Sequence, residues 1–361
     1  AAPTSRPSVG APAPVATDSP TLGPAPTAAL SPDPCATPTQ ASGPVAVDGV
    51  ALRGFVAGPG AVRYGLLSPG LARSEDGGYT WRRVSPLELP LPLVAGADGH
   101  TLYAGKMLSC YMDEDAVPMR RSSDGGETWE VLPEGAGMRP VAVAPGEPGT
   151  VYATDCRGLN LSRDGGATWQ NTGPTMGMDI TGIIPAGSGR MFLLAVLTSE
   201  GGSSHLAWFG NDGTMEQDLS QGLNFWGLGV LAGEGGTLFL ADSQGVRRSS
   251  DGGATWTLFT AGLDDVVLPY DPMTEGVPAD AQQRGYGLFA LSVDPADPRH
   301  LALGTIRGLY LSTDAGEHWS PAVAEVLGRS KVTGLTWEAG DRGGLWVTAD
   351  TGVYNVRLPL P

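Results

Sequence analysis

The chain has 361 residues, 54 of them Gly and 31 Pro, and a formal net charge of -16. That charge argues against the phosphate backbone of a nucleic acid as a partner, and no apolar run approaches the roughly 20 residues of a membrane span. Three cysteines and four scattered histidines (His100, His205, His300, His318) show no metal-ligand spacing, so neither a metal nor another cofactor is expected.

Residues 1–44 stand apart, with 11 Pro, 10 Ala, 6 Thr and 5 Ser and almost no large apolar side chain. Such a stretch cannot bury a core and is expected to be a mobile stalk leaning to polyproline II. Stalks of this kind commonly follow a secretory signal or lipid anchor, and the opening Ala fits a processed precursor. The chain is therefore expected outside the cytoplasm, secreted or tethered at the cell surface or envelope through that stalk. Cys35 is expected to remain free, to be modified or to pair between chains.

After residues 45–50 and a first strand over about 51–57, one phrase recurs five times. It reads Ser-Glu-Asp-Gly-Gly-Tyr-Thr-Trp at 74–81, Ser-Ser-Asp-Gly-Gly-Glu-Thr-Trp at 122–129 and Ser-Arg-Asp-Gly-Gly-Ala-Thr-Trp at 162–169. It returns as Ser-Ser-Asp-Gly-Gly-Ala-Thr-Trp at 249–256 and Ser-Thr-Asp-Ala-Gly-Glu-His-Trp at 312–319. Each copy lies between apolar or alternating runs and reads as a hairpin turn. Asp76, Asp124, Asp164, Asp251 and Asp314 are expected to accept several backbone N–H groups, and the glycines to supply positive φ. Trp81, Trp129, Trp169, Trp256 and Trp319 open the following strand, where a large ring can wedge between layers. A carboxylate saturated by its own turn is a poor acid or base, so these aspartates read as structural.

The Asp-to-Asp steps are 48, 40, 87 and 63 residues, about one four-stranded unit each, with the third step covering two. The hidden turn is Gly210-Asn211-Asp212-Gly213, which has lost the Ser and the Trp. The last step carries an insertion over 263–287. Second strands are marked by Thr101–Gly105, Thr150–Thr154, Thr237–Ala241, His300–Gly304 and Gly344–Thr348. Six units end near Val84, Leu132, Thr172, Leu219, Phe259 and Val323; strands at 332–337, 345–349 and 353–358 then lack a fourth, which residues 45–50 are expected to supply. Arg82-Arg83, Arg120-Arg121 and Arg247-Arg248 abut the repeated turns and read as exposed alternates on outer strands.

The phrase resembles the Asp-box, or BNR, repeat of sialidases, sortilin-type receptors, some endoglucanases and the photosystem II assembly factors. The resemblance implies an all-β, seven-bladed β-propeller of four-stranded antiparallel blades over residues 45–361, its ring closed by an N-terminal strand. Sialidases with this repeat use an arginine triad, a Tyr/Glu pair, an Asp acid and an Arg-Ile-Pro phrase, and that phrase does not occur here. Endoglucanases of this type set two carboxylates across a cleft between two propellers, whereas this chain has length for one. The assembly factors share the single seven-bladed plan and are exported and non-enzymatic.

The long non-repeating connections fall on the rim opposite the boxes. They are 108–118, with Tyr111, Asp113, Glu114 and Asp115; 198–204; and the insertion, with Asp264, Asp265, Tyr270, Asp271, Arg284 and Tyr286. That rim is the expected binding face for a protein or a carbohydrate, and the chain is expected to be a non-catalytic binding or scaffold module. The alternative is a glycoside hydrolase, sialidase-like or endoglucanase-like, with carboxylates such as Asp113 and Asp271 on the same rim. Cys110 and Cys156 follow the second strands of neighbouring units and are expected to form a disulfide across that seam, two separate thiols being the open alternative.

Overall fold

The chain divides into Ala1–Thr37 and Pro38–Pro361. A computed structural model describes residues 40–360 of the second unit, apart from 42, 108–115, 145–146, 148, 173–177, 186–189, 198–203, 211–213, 220–229, 235–236, 243, 268–286, 323–326 and 339–342.

Among the described residues the strands form seven four-stranded antiparallel sheets and one two-stranded hairpin. The first sheet runs Gly54–Ala57, Arg63–Leu67, Gly70–Ser74 and Arg82–Ser85, and the second Leu93–Ala95, Leu102–Ala104, Met119–Ser122 and Glu130–Leu132. The third is Arg139–Val143, Val151–Asp155, Gly158–Ser162 and Gln170–Asn171; the fourth is Met178–Pro185, Arg190–Leu197, Ser204–Gly210 and Met215–Asp218. The fifth is Val230–Glu234, Thr237–Asp242, Gly245–Ser249 and Thr257–Phe259; the sixth is Leu288–Val293, Leu301–Thr305, Gly308–Ser312 and Ser320–Pro321. In the seventh, Val332–Trp337, Gly344–Ala349 and Gly352–Arg357 take Gln40–Ala41 as a fourth strand.

That fourth strand corrects the expectation for residues 45–50. Gln40 pairs with Arg357 and Ala41 with Val356, whereas Ala46–Val47 and Val50–Ala51 pair with each other. The reason is local: Asp48 (φ 52°) and Gly49 (φ 79°) make the two-residue Asp-Gly turn that folds an alternating run back on itself. The hairpin still touches the seventh sheet, since the Val45 amide donates to the Val353 carbonyl at 2.8 Å. The first strand of the first sheet accordingly starts at Gly54 rather than near 51.

The core lies between sheets. Strand side chains alternate faces, so Tyr64 and Leu71 of the first sheet pack with Leu93 and Leu102 of the second, while Leu67 and Ala72 pack with Trp346 and Val353 of the seventh. Further clusters join the second sheet to the third, the third to the fourth, the fifth to the sixth and the sixth to the seventh. First strands of successive sheets are neighbours in chain order, and Val332–Trp337 of the seventh lies beside Gly54–Ala57 of the first. Antiparallel order puts the turns between third and fourth strands, which carry the boxes, on one rim. Turns between second and third strands, and the connections from sheet to sheet, lie on the other.

Candidate functional site

The five intact boxes share one geometry. In the third sheet the Ser162 hydroxyl donates to Asp164 Oδ1 at 2.8 Å and accepts the Gly166 amide at 2.8 Å. The Thr168 amide donates to Asp164 Oδ1 at 2.9 Å and the Thr168 hydroxyl to Oδ2 at 2.6 Å. Contacts of the same kind surround Asp76, Asp124 and Asp251, and at Asp314 His318 takes the threonine's place with Nδ1 2.7 Å from Oδ2. In the four threonine boxes the carboxylate thus holds two hydroxyls and one amide, and at Asp314 one hydroxyl, one amide and the His318 ring; the serine hydroxyl is the second hub of the turn. Each Trp closes it, Trp169 Nε1 donating to the Gly166 carbonyl at 3.1 Å and Trp319 Nε1 to Gly316 at 3.0 Å.

Electrostatics follow from those bonds. The Thr168 hydroxyl and amide and the Ser162 hydroxyl hold the Asp164 carboxyl down to about 2, and Thr255 with Ser249 do the same for Asp251. Hydrogen bonding from Thr80 depresses Asp76 further. At Asp124 burial is the largest single influence and pushes upward, yet the Thr128 and Ser122 bonds hold it to about 2. Asp314 is lowered as well, burial again opposing the His318 and Ser312 bonds. Carboxylates this acidic and this fully engaged are not proton donors near neutrality.

Arg82-Arg83 lies on an outer, fourth strand as expected, with Arg82 exposed, whereas the other two arginine pairs differ from that reading. Arg121 and Arg248 sit on third strands, and each reaches the box of the next sheet: Arg121 NH1 donates to the Gly165 carbonyl at 2.9 Å and Arg248 NH1 to Ala315 at 3.0 Å. Trp208 Nε1 makes the equivalent reach to Gly252 at 3.0 Å. Sheet-to-sheet registration on the box rim therefore uses side-chain donors that no single repeat reveals. Arg247 instead pairs at 3.0 Å with the buried Asp242, whose carboxyl is pushed up by burial and pulled back by that guanidinium.

On the opposite rim a second recurrent turn appears that sequence reading passed over. Asp155 accepts the Arg157 amide at 2.8 Å, Asp242 the Gln244 amide at 2.7 Å, and the Thr305 hydroxyl the Arg307 amide at 3.0 Å. In each, a glycine three residues on (Gly158, Gly245, Gly308; φ 115°, 147° and 117°) opens the third strand. The visible signal is Asp/Thr-x-x-Gly.

The insertion is rooted at both ends. Leu263, Val266 and Val267 are buried against Tyr310 and Trp319, the Trp319 amide donates to Ala261 at 2.9 Å, and the Gly287 amide donates to Val266 at 3.3 Å. Beside this root, the Lys331 ammonium lies 4.0 Å from the centre of the Phe289 ring. Phe289 and Thr333 are each the extra residue where the register of a first strand shifts, in the sixth and seventh sheets. Bulges of this kind re-aim side chains near functional rims.

Of the expected binding residues, Asp264 and Asp265 are described; both are exposed and sit on the first turn of the insertion. Tyr111, Asp113, Glu114, Asp115, Tyr270, Asp271, Arg284 and Tyr286 lie outside the described residues, as do Asn211, Asp212 and Gly213 of the eroded box. The strands that bound that eroded turn, Ser204–Gly210 and Met215–Asp218, pair as a hairpin. Cys156 is disulfide-bonded, while Cys110 and Cys35 lie outside the described residues. No group of three or more His, Cys, Asp or Glu able to hold a metal occurs among the described residues, and none of their helices is long and apolar enough to cross a membrane.

No family model and no curated protein matches this chain. Solved structures do. A GH74 xyloglucanase from Xanthomonas campestris superposes with a TM-score of 0.63 at 16% identity, over 89% of this chain and 54% of that one. The present chain thus spans about half of that enzyme. YCF48 bound to a D1 peptide gives 0.58 at 14% identity, over 90% of this chain and 98% of that one. YCF48 from Cyanidioschyzon merolae gives 0.51 at 14%, over 89% and 98%. At these identities the likeness is one of fold alone, all-β with antiparallel four-stranded sheets in keeping with a β-propeller.

Proposed function

We propose that the protein is a non-catalytic binding or scaffold propeller that recognises a protein or a carbohydrate through the rim opposite its Asp-boxes. One observation carries this. The repeated carboxylates are consumed by their own turns, whereas the longest non-repeating connection leaves the opposite rim from a root locked into the core by Leu263, Val266 and Val267. A rigid frame with variable loops on one face is how repeat folds present binding surfaces. On this reading the seven sheets are seven blades, and Gln40–Ala41 latches the ring by completing the last; the neighbouring first strands of the seventh and first sheets support it.

The residues ahead of Gln40 then act as a tether of a protein working outside the cytoplasm, and Cys110 pairs with Cys156. The superposed proteins act on xyloglucan or bind a peptide, and both kinds of ligand suit an open rim. The test is a panel of xyloglucan, sialosides and fluorogenic glycosides with the parent, Asp113→Asn and Asp271→Asn. The reading predicts no turnover that either substitution abolishes; turnover lost in one of them replaces it with the hydrolase alternative.

A further inference from the structure

Large apolar side chains reach the surface of the described residues in two ways. Tyr79 sits on a box, and Val131, Met215 and Leu258 lie singly on fourth strands, where isolated exposure is ordinary. Leu87 and Leu91, 42% and 50% exposed, instead share one short connection, that from the first sheet to the second. It reads Pro86-Leu-Glu-Leu-Pro-Leu-Pro92 and lies on the rim opposite the boxes.

The segment is held in place from within. Proline fixes its own φ and drives the residue before it to extended backbone, and prolines stand at 86, 90 and 92. Extended backbone alternates its side chains: Leu89 packs onto the cluster of Tyr64, Leu71, Leu93 and Leu102, which leaves Leu87 and Leu91 on the outward face. Both ends are pinned, the Leu87 amide donating to the Ser85 hydroxyl at 3.2 Å and the Gly105 amide to the Pro92 carbonyl at 3.4 Å. Four residues of extended chain set the two leucines about 12 Å apart. Between them Glu88 is exposed, with no hydrogen bond or ion pair among the described residues.

We infer that residues 86–92 are a docking ridge for a protein partner, whose apolar groove takes Leu87 and Leu91 and whose Lys or Arg at the groove's margin meets Glu88. The inference rests on the rim reading above and deepens it by naming a protein as what that rim engages. Chemistry selects this occupant. A carbohydrate is held through its hydroxyls, to which aliphatic Leu and Pro side chains offer no hydrogen-bonding group. A second copy brings its own charge of -16 to the contact, and an anionic bilayer repels the same charge. A groove with a basic margin gains both from burying the leucines and from Glu88. Because the ridge is already ordered, docking costs it little conformational entropy.

A photoreactive residue at the exposed position 86 of the full chain, which leaves both leucines in place, tests this in the native envelope fraction. The expected result is an adduct with one protein, identified by mass spectrometry and absent when Leu87→Ser and Leu91→Ser are added. That protein, purified, is then titrated with unlabelled parent and variants. Its Kd should rise about tenfold or more with Leu87→Ser, Leu91→Ser and about fivefold with Glu88→Lys, which should also flatten the salt dependence. All three replaced side chains are exposed, so unchanged melting temperatures are the folding control. No adduct at 86, an adduct with a glycan, a lipid or a second copy, or a Kd that either variant moves less than about twofold overturns the inference. Position 264 separates it from the rim reading: a competed adduct at 264 with none at 86 sinks the ridge alone, whereas adducts confined to position 79 sink both.

Discussion

Asp164 and Thr168 are joined twice, the threonine amide on one carboxylate oxygen at 2.9 Å and its hydroxyl on the other at 2.6 Å. Both bonds favour the ionised carboxyl, whose pKa falls from 3.8 to about 2 on folding. A depressed value contributes stability above the unfolded pKa and loses it as pH falls through the folded one. With Asp124 and Asp251 alike, melting temperature should hold steady above about pH 5 and drop between about pH 4 and 2. Asp164→Asn should lower it near neutrality and lose less on acidification. Parallel melting curves of parent and variant from pH 6 to 2 would contradict this assignment.

Arg121 and Arg248 each bridge to the next sheet's box. Replacing either with Met removes a charge-assisted hydrogen bond while keeping most of the apolar stem, so a loss of about 1.5 kcal/mol is expected. Arg120→Met serves as the control and should stay within about 0.5 kcal/mol. Denaturant midpoints at constant slope read both. Equal effects at Arg120 and Arg121 would remove the bridging role.

Gly78 has φ 102°, and a Cβ there would lie 2.2 Å from the Trp346 ring. Gly78→Ala should therefore destabilise by about 3 kcal/mol, combining left-handed strain with displacement of the ring stacked on Phe55. Gly60 has φ 57° with nothing within 4 Å of the built Cβ, so Gly60→Ala should cost about 1 kcal/mol. Thermal unfolding with near-ultraviolet dichroism reads both stability and the Trp346 environment. Similar losses for the two variants would deny the close approach.

Much of this frame could be read from the chain, because an Asp-box carries its own donors and acceptors within eight residues. Ser162, Asp164, Gly166, Thr168 and Trp169 need only each other. The strand at Gln40–Ala41 could not, since two residues of backbone pairing leave no side-chain pattern, while the Asp48-Gly49 turn was legible and hid inside an apolar run. The burial of Arg63 has no local signal, because only the register sets it opposite Ser74, where four other sheets bury Leu or Val. Lys331 and Phe289 are 42 residues apart in sequence, so their contact has no local signal. Asp264 and Asp265 are exposed on the connection from the fifth to the sixth sheet, and their chemistry depends on neighbours that sequence does not bring together.

The proposed pairing of Cys156 with Cys110 leaves Cys35 as the remaining thiol. Thiol titration of the denatured, unreduced monomer should find one free group, and peptide mapping should recover 110 linked to 156. Three free thiols, or a link through Cys35, would exclude that pairing.

The two rims can be compared directly by site-specific photocross-linking in the native envelope fraction. Tyr79, 74% exposed on a box, and Asp264, exposed at the root of the insertion, are positions for the photoreactive residue. The account predicts a discrete cross-linked protein or glycan at position 264, competed away by excess unlabelled parent, and none at 79. A competed adduct at 79 with none at 264 would contradict it and place recognition on the box rim.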